Sequence, residues 1–184
     1  KSVISGLPNA ITFGLSESCD YYASDINFNN DGMPQFHVNH GGKALCQIEL
    51  AVPGEHNILN ALAAFACCHI QGVSVEDIVK TLDGYTGTQR RFDLLGETST
   101  GIRIVDDYAH HPTEIKATLA AVRNMKHNTL WCLFQPHTYT RTMALLDDFA
   151  TAFDEADKVV LAEIYAAREK NIHKISSKTL MNKI

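Results

Sequence analysis

Residues 102–122 read IRIVDDYAHHPTEIKATLAAV. The opening Ile102, Ile104 and Val105 are β-branched residues that favour a strand. From Pro112 onward the apolar positions recur at helical spacing. Between them lie two aspartates, a tyrosine and two histidines, where a short Gly-Asn turn would suffice to reverse the chain. Pro112 suits the first helical turn, because its missing N–H would be unpaired there anyway. That places His111 at the cap and His110 in the turn. A strand over 102–107 and a helix over 112–125 are therefore predicted.

The same order follows twice more. TLWCLF (129–134) leads to a helix over 141–155 with an apolar stripe of Leu146, Phe149 and Phe153. KVVLAE (158–163) leads through a loop to a helix start near 177–184. Strand–helix alternation predicts a parallel sheet flanked by helices. Ligands bind such sheets beyond the carboxyl ends of the strands. Three polar clusters fall there: DDYAHHP, QPHTYTR and EIYAAREKN.

Upstream the pattern differs. AITFGL, DYYASDINF, QFHVNH and ALCQIELAV read as short strands broken by NNDGMP and by Gly41-Gly42, antiparallel in character. Residues 57–70, NILNALAAFACCHI, read as a helix apolar nearly all round and hence buried. SVEDIVKTLDG (74–84) reads as an amphipathic helix capped by Ser74 and ended by Gly84. The domain boundary falls near 92–98, giving domains 1–92 and 93–184. The fold class expected is α/β: antiparallel strands with helices, then a Rossmann-like parallel domain, both partial.

The chain's 184 residues carry 45% hydrophobic and 20% charged residues, enough apolar material for a core. A formal charge of −5 argues against a general nucleic-acid or anionic-membrane surface. No apolar stretch approaches the roughly 20 residues that span a bilayer. The opening KSVISGLPNA does not read as a secretory leader. Five cysteines without a C-x-x-C pair read as reduced thiols.

Each polar cluster has a plain alternative. Asn57 and Asn60, three apart on one helical face, suit the amino edge of adenine; alternatively Asn57 caps the helix and Asn60 satisfies a loop. Arg90 and Arg91 suit phosphate oxygens, but in a strand they point to opposite faces, so at most one addresses a given ligand. A surface salt bridge is the alternative. Asp106 and Asp107 either complement the helix dipole or, in the case of Asp107, hold a ribose hydroxyl. His137 and Arg141, four apart at a helix start, either converge on a small carboxylate or phosphate or are simply exposed. Cys132 sits inside a strand and no His or Cys pair has standard ligand spacing, so a metal site is not expected. There is no G-x-G-x-x-G and no G-x-x-x-x-G-K-[ST].

The ordered set PGEHNILNALAA, TQRRFD, DDYAHHPTEI and FQPHTYTRT resembles the Mur ligase family. That resemblance covers most of residues 50–142. It implies the later part of a central ATPase domain followed by the first part of a C-terminal Rossmann-like domain. It also implies that the P-loop, the magnesium-binding glutamate and the UDP-binding domain lie outside this piece, which alone would be inactive. Within the family the loops favour the branch that joins L-alanine to UDP-N-acetylmuramate with ATP and Mg2+, through an acyl phosphate, in peptidoglycan precursor synthesis in the cytoplasm. By resemblance, His56, Asn57 and Asn60 hold adenine, Arg91 reaches the phosphates and Asp107 contacts the ribose. Tyr108 and His110 lie by the reacting groups. His137 and Arg141 bind the amino-acid carboxylate. The alternatives are a ligase that adds a recycled tripeptide to the same sugar nucleotide and a non-catalytic nucleotide-binding module; neither nucleic acid nor membrane is an expected partner.

Overall fold

The structure is a computed structural model that describes residues 10–184. The stretch KSVISGLPN, which bears on the leader reading, lies outside the described residues. The chain divides into two compact units, one ending at Gly87 and the other beginning at Thr88.

The first unit holds β1 (Phe13–Gly14), β2 (Tyr21–Phe28), β3 (Pro34–His40) and β4 (Lys43–Glu49) in one sheet of that order. β2, β3 and β4 pair antiparallel as the turn residues predict, while the short β1 runs parallel to β2. Gly41 and Gly42 both take positive φ, 58° and 74°, the requirement of a tight two-residue hairpin. Two helices follow, α1 (Glu55–Ile70) and α2 (Val75–Asp83).

α1 starts two residues before the expected Asn57, at a Gly54 N-cap with φ 96° and no side-chain cap bond. Nor is it buried all round. Ile58, Leu62 and Phe65 are fully buried in the same core as Phe36, Val38 and Ile48, while Asn60, Ala64, Cys67 and Cys68 are exposed. Alanine and cysteine are small enough that a face built from them leaves little apolar area in water. α2 keeps its predicted ends: Ser74 Oγ accepts from the Asp77 N–H at 3.2 Å, and Gly84 is the C-cap.

The second unit contains β5 (Asp93–Glu97), β6 (Arg103–Asp106), α3 (Pro112–Arg123), β7 (Trp131–Phe134), α4 (Tyr139–Ala144), α5 (Leu146–Ala150), β8 (Lys158–Leu161) and α6 (Ser177–Met181). β7 and β8 pair in parallel, from Trp131 opposite Lys158 to Phe134 opposite Leu161. β6 does not join them; it pairs antiparallel with β5. The cause is local. The Thr98 N–H donates to the Ile102 carbonyl at 2.9 Å and Gly101 turns with φ 82°, so the two strands close as a hairpin. The single helix expected over 141–155 is two short ones broken at Leu145, whose ψ of 21° is not helical.

The core of this unit is Ile115 and Leu119 of α3 with Phe134, Phe149, Phe153 and Leu180. Phe134 lies within 5.3 and 5.7 Å of Phe153 and Phe149, ring centre to ring centre. Burial raises the thiols of Cys132 here and Cys46 in the first unit to about 11, so both stay protonated at neutral pH. Among the described residues, no helix is long and apolar enough to cross a membrane.

Candidate active site

The turn after β6 is organised by carboxylates. His111 caps α3 and Pro112 takes its first position, as the spacing predicts. Glu114 reaches back: its Oε2 accepts the backbone N–H of His110 at 3.0 Å and of His111 at 3.1 Å. Burial alone would raise the Glu114 carboxyl. The two N–H bonds, with the nearby charges of His110 and Arg91, outweigh it and hold the group below its usual range. Asp107 accepts from the Phe92 N–H at 2.8 Å through one oxygen and from the Ala109 N–H at 2.7 Å through the other. It therefore ties the 90–92 segment to the α3 approach.

That segment is strained. Arg90 and Phe92 have φ of 59° and 50°, a region that bulky side chains avoid. Four bonds hold it there. The Arg90 N–H donates to Asp93 Oδ2 at 3.2 Å, the Arg91 N–H to the Thr88 carbonyl at 3.1 Å, and Phe92 to Asp107; the Arg90 carbonyl accepts from the Tyr108 N–H at 2.7 Å. The expectation that these arginines sit in a strand and diverge is corrected. Both precede β5, and both guanidinium groups lie over the Tyr108 ring, at 5.0 Å for Arg90 and 5.9 Å for Arg91. Arg90 also pairs with Asp106 at 3.3 Å and Arg91 with Glu114 at 3.8 Å.

The rings continue across the strand ends. Tyr108 meets His110 edge-on at 5.2 Å, His110 stands 6.3 Å from His137, and His137 stacks on Tyr165 at 5.4 Å. These residues come from the loops after β6, β7 and β8, so the three clusters converge as expected. Arg141, one turn along from His137, donates through Nη1 to the His137 carbonyl at 2.9 Å and lies 3.2 Å from its Nδ1. Its Nε and Nη2 have no partner among the described residues. The result is a row of neighbouring rings, edge-on at Tyr108–His110 and stacked at His137–Tyr165, with a guanidinium pair at one end and a third guanidinium near the other. Such a row offers donors for anionic groups and flat faces for a planar one.

His56, Asn57 and Asn60 lie in the other unit, at the start of α1. Asn57 donates to the Pro53 carbonyl at 2.8 Å and accepts from Asn60 at 3.1 Å. The two amides are thus coupled on one helix face, and Asn57 is not the cap. Three further residues join the arrangement without having been singled out: Glu114, Tyr165 and Glu169. Glu114 had a readable signal, an acidic residue three after a cap. Glu169 lies about thirty residues from what it touches, and no local pattern marks it.

Residues 90–184 match the Mur ligase, glutamate ligase domain, and residues 4–68 match the Mur ligase middle domain. The chain is 51% identical over 177 residues to the UDP-N-acetylmuramate–L-alanine ligase of Acetivibrio thermocellus, covering 96% of this chain and 38% of that protein. It is 46% identical over 183 residues to the protein of the same description from Caldanaerobacter subterraneus, covering 99% and 40%. The crystal structure of the UDP-N-acetylmuramate–alanine ligase of Thermotoga maritima superposes with a TM-score of 0.76 at 29% identity, over 94% of this chain and 36% of that one. A murein peptide ligase from Psychrobacter arcticus gives 0.56 at 30% identity, over 82% and 31%. The chain thus spans about 38% of the length of its first relatives. With its second half matched throughout by the glutamate ligase domain and most of its first half by the middle domain, the chain belongs to the Mur ligase family.

Proposed function

We propose that this chain supplies parts of the nucleotide and amino-acid sites of a ligase that joins L-alanine to UDP-N-acetylmuramate at the expense of ATP, in peptidoglycan precursor synthesis. The observation that carries the reading is the row from the Arg90–Arg91 pair through Tyr108, His110 and His137 to Tyr165, with Arg141 beside it. It gathers cations and ring faces from the three loops that follow β6, β7 and β8, and passing a phosphoryl group from a polyphosphate to a carboxylate needs such groups around the transferring charge. The 51% identity to an enzyme of that description supports the same choice.

In this reading ATP transfers its γ-phosphoryl group to the lactyl carboxylate. The alanine amine then attacks the acyl carbon, the C–N bond forms and phosphate leaves. The residues present suit the nucleotide. Asn60 is exposed and keeps its amide oxygen and one N–H for the adenine edge, with Asn57 steadying it and His56 alongside. Arg91 presents a guanidinium to phosphate oxygens. Asp107 retains acceptor capacity for a ribose hydroxyl beyond its two backbone bonds. Tyr108 and His110 border the reacting groups. His137 and Arg141 take the alanine carboxylate, through the guanidinium atoms not bonded to the turn.

Mg2+ in this chemistry neutralises charge on the transferring phosphoryl group. No group of three or more His, Cys, Asp or Glu side chains among the described residues is placed to hold a metal ion. In this reading its ligands belong to parts of the complete protein outside this chain. The reading makes the protein a cytoplasmic enzyme of small-molecule substrates, independent of nucleic acid and membrane.

The test is a competition assay on the complete protein that contains this chain. It would be given ATP, Mg2+, UDP-N-acetylmuramate, L-alanine, other amino acids and the murein tripeptide, with products read by mass. The L-alanyl product is expected. A tripeptide product would move the protein to the recycling branch, and no product would favour a non-catalytic nucleotide-binding role.

A further inference from the structure

The loop between β8 and α6 grips the start of α4 through one side chain. Glu169 Oε1 accepts the hydroxyls of Thr138, at 2.8 Å, and Thr140, and its Oε2 accepts the Thr140 backbone N–H at 2.9 Å. Thr138 is the N-cap of α4, yet makes no side-chain cap bond to the helix. The carboxylate of Glu169 takes over that duty from about thirty residues away. The threonines it holds lie between the two candidate substrate groups: His137 immediately precedes Thr138, and Arg141 immediately follows Thr140.

The gripping loop is itself fixed. The Tyr165 N–H donates to the Pro136 carbonyl at 2.8 Å while its ring stacks on His137. Asn171 closes the far side, donating to the Ile175 carbonyl at 2.8 Å and accepting from the Ile175 N–H at 3.0 Å. Ile175 is buried, and Ser177 Oγ donates to the Ala162 carbonyl at 2.5 Å. Ala167 and Lys174 adopt positive φ of 52° within the loop, a conformation kept only where surrounding bonds enforce it. A loop whose sole task was to connect β8 to α6 would need neither the strained residues nor a carboxylate aimed at α4.

We propose that Glu169 is a positioning residue that sets His137 and Arg141 for the carboxylate of the incoming amino acid. The proposal rests on the ligase reading above and assigns a role to the EIYAAREKN loop. The carboxylate is suited to the task. Its bonds from Thr140, side chain first and then backbone, and from Thr138 hold it at about 2, so it remains an ionised acceptor across the working pH range. Without it the Thr140 N–H and both hydroxyls lose their carboxylate acceptor, and the α4 start that carries Arg141 loses one of its ties to the β8–α6 loop, beside the Tyr165–Pro136 bond and the His137–Tyr165 stack.

The experiment compares Glu169→Ala and Glu169→Gln with wild type in the complete protein, reading the KM for L-alanine and for ATP separately. Glu169→Ala is expected to raise the L-alanine KM roughly tenfold or more, the scale of losing charge-assisted bonds, with the ATP KM within about twofold. Glu169→Gln is expected to fall between, because an amide oxygen still accepts a threonine hydroxyl. Should Glu169→Ala fail to fold, Thr140→Val removes one donor at nearly constant volume, and a selective rise in the L-alanine KM is expected there too. An unchanged L-alanine KM, or equal rises for both substrates, overturns the proposal while leaving the ligase reading intact. A wild-type protein that forms no alanyl product overturns both.

Discussion

Glu114 fixes the conformation of His110: its Oε2 accepts the His110 backbone N–H at 3.0 Å and stands 3.6 Å from the same residue's Nδ1. The histidine is thus held at its main chain by a carboxylate that also anchors the α3 cap, while its ring Nδ1 lies 2.9 Å from the Tyr108 carbonyl. Glu114 therefore bears on stability and on the ring row at once.

Glu114→Ala is expected to cost about 1 kcal/mol, the usual size of a lost cap interaction, measured by urea unfolding at pH 7. The side chain is 35% exposed, so screening limits the ionic part. The sign with pH follows from the lowered carboxyl. Its stabilisation is complete above the ordinary value of 4.5 and is lost as pH falls through the lower folded-state value. The gap between wild type and variant should narrow below pH 4.5. A gap that widens on acidification would contradict the assignment.

Arg141→Ala is expected to raise the L-alanine KM roughly 10- to 100-fold, the range of a hydrogen bond to a charged partner, and to leave the ATP KM nearly unchanged. Arg141→Lys should recover little, because an ammonium cannot both hold the His137 carbonyl and present a planar fork. Steady-state kinetics on the complete protein decide it, and parallel losses for both substrates would remove Arg141 from the amino-acid site.

Asp107 joins two roles that a single variant separates poorly. Its oxygens satisfy the N–H groups of Phe92 and Ala109, so Asp107→Ala should destabilise the second unit by about 1–3 kcal/mol through unpaired donors. Asp107→Asn keeps one acceptor and turns an NH2 toward an N–H. Both variants should lower the melting temperature and weaken ATP use. Loss of ATP use at an unchanged melting temperature would mean that the two backbone bonds contribute no stability.

Much of this architecture is local and hence legible. The β-branched run, Pro112 at the first helical position and the apolar period of 112–123 define β6, the turn and α3 without distant information. The convergence of His110, His137 and Tyr165 agrees with ligand loops gathering beyond strand carboxyl ends, although β6 lies in a different sheet from β7 and β8. Three things were hidden. The 98–101 turn diverts β6 to β5, and a hairpin of ordinary turn residues competes well with a more distant parallel partner. The positive φ of Arg90 and Phe92 brings both arginines over Tyr108, where a strand would have parted them. Glu169 acts across about thirty residues, a distance over which no periodicity speaks.

Asn60 tests the adenine reading better than Asn57. Asn57 spends its amide on the Pro53 carbonyl and on Asn60, just where α1 begins without a side-chain cap. Asn57→Ala should therefore cost about 1 kcal/mol of stability along with any loss of nucleotide binding, and the two effects would be confounded. Asn60 is exposed, and among the described residues its side chain bonds to Asn57 alone. Asn60→Ala leaves the Asn57–Pro53 bond in place and introduces the best helix former, so the melting temperature should hold or rise slightly. A several-fold higher ATP KM at unchanged stability, with the L-alanine KM intact, is the result expected of an adenine contact. An unaltered ATP KM at that position would remove the start of α1 from the nucleotide site and return Asn57 to a purely structural role.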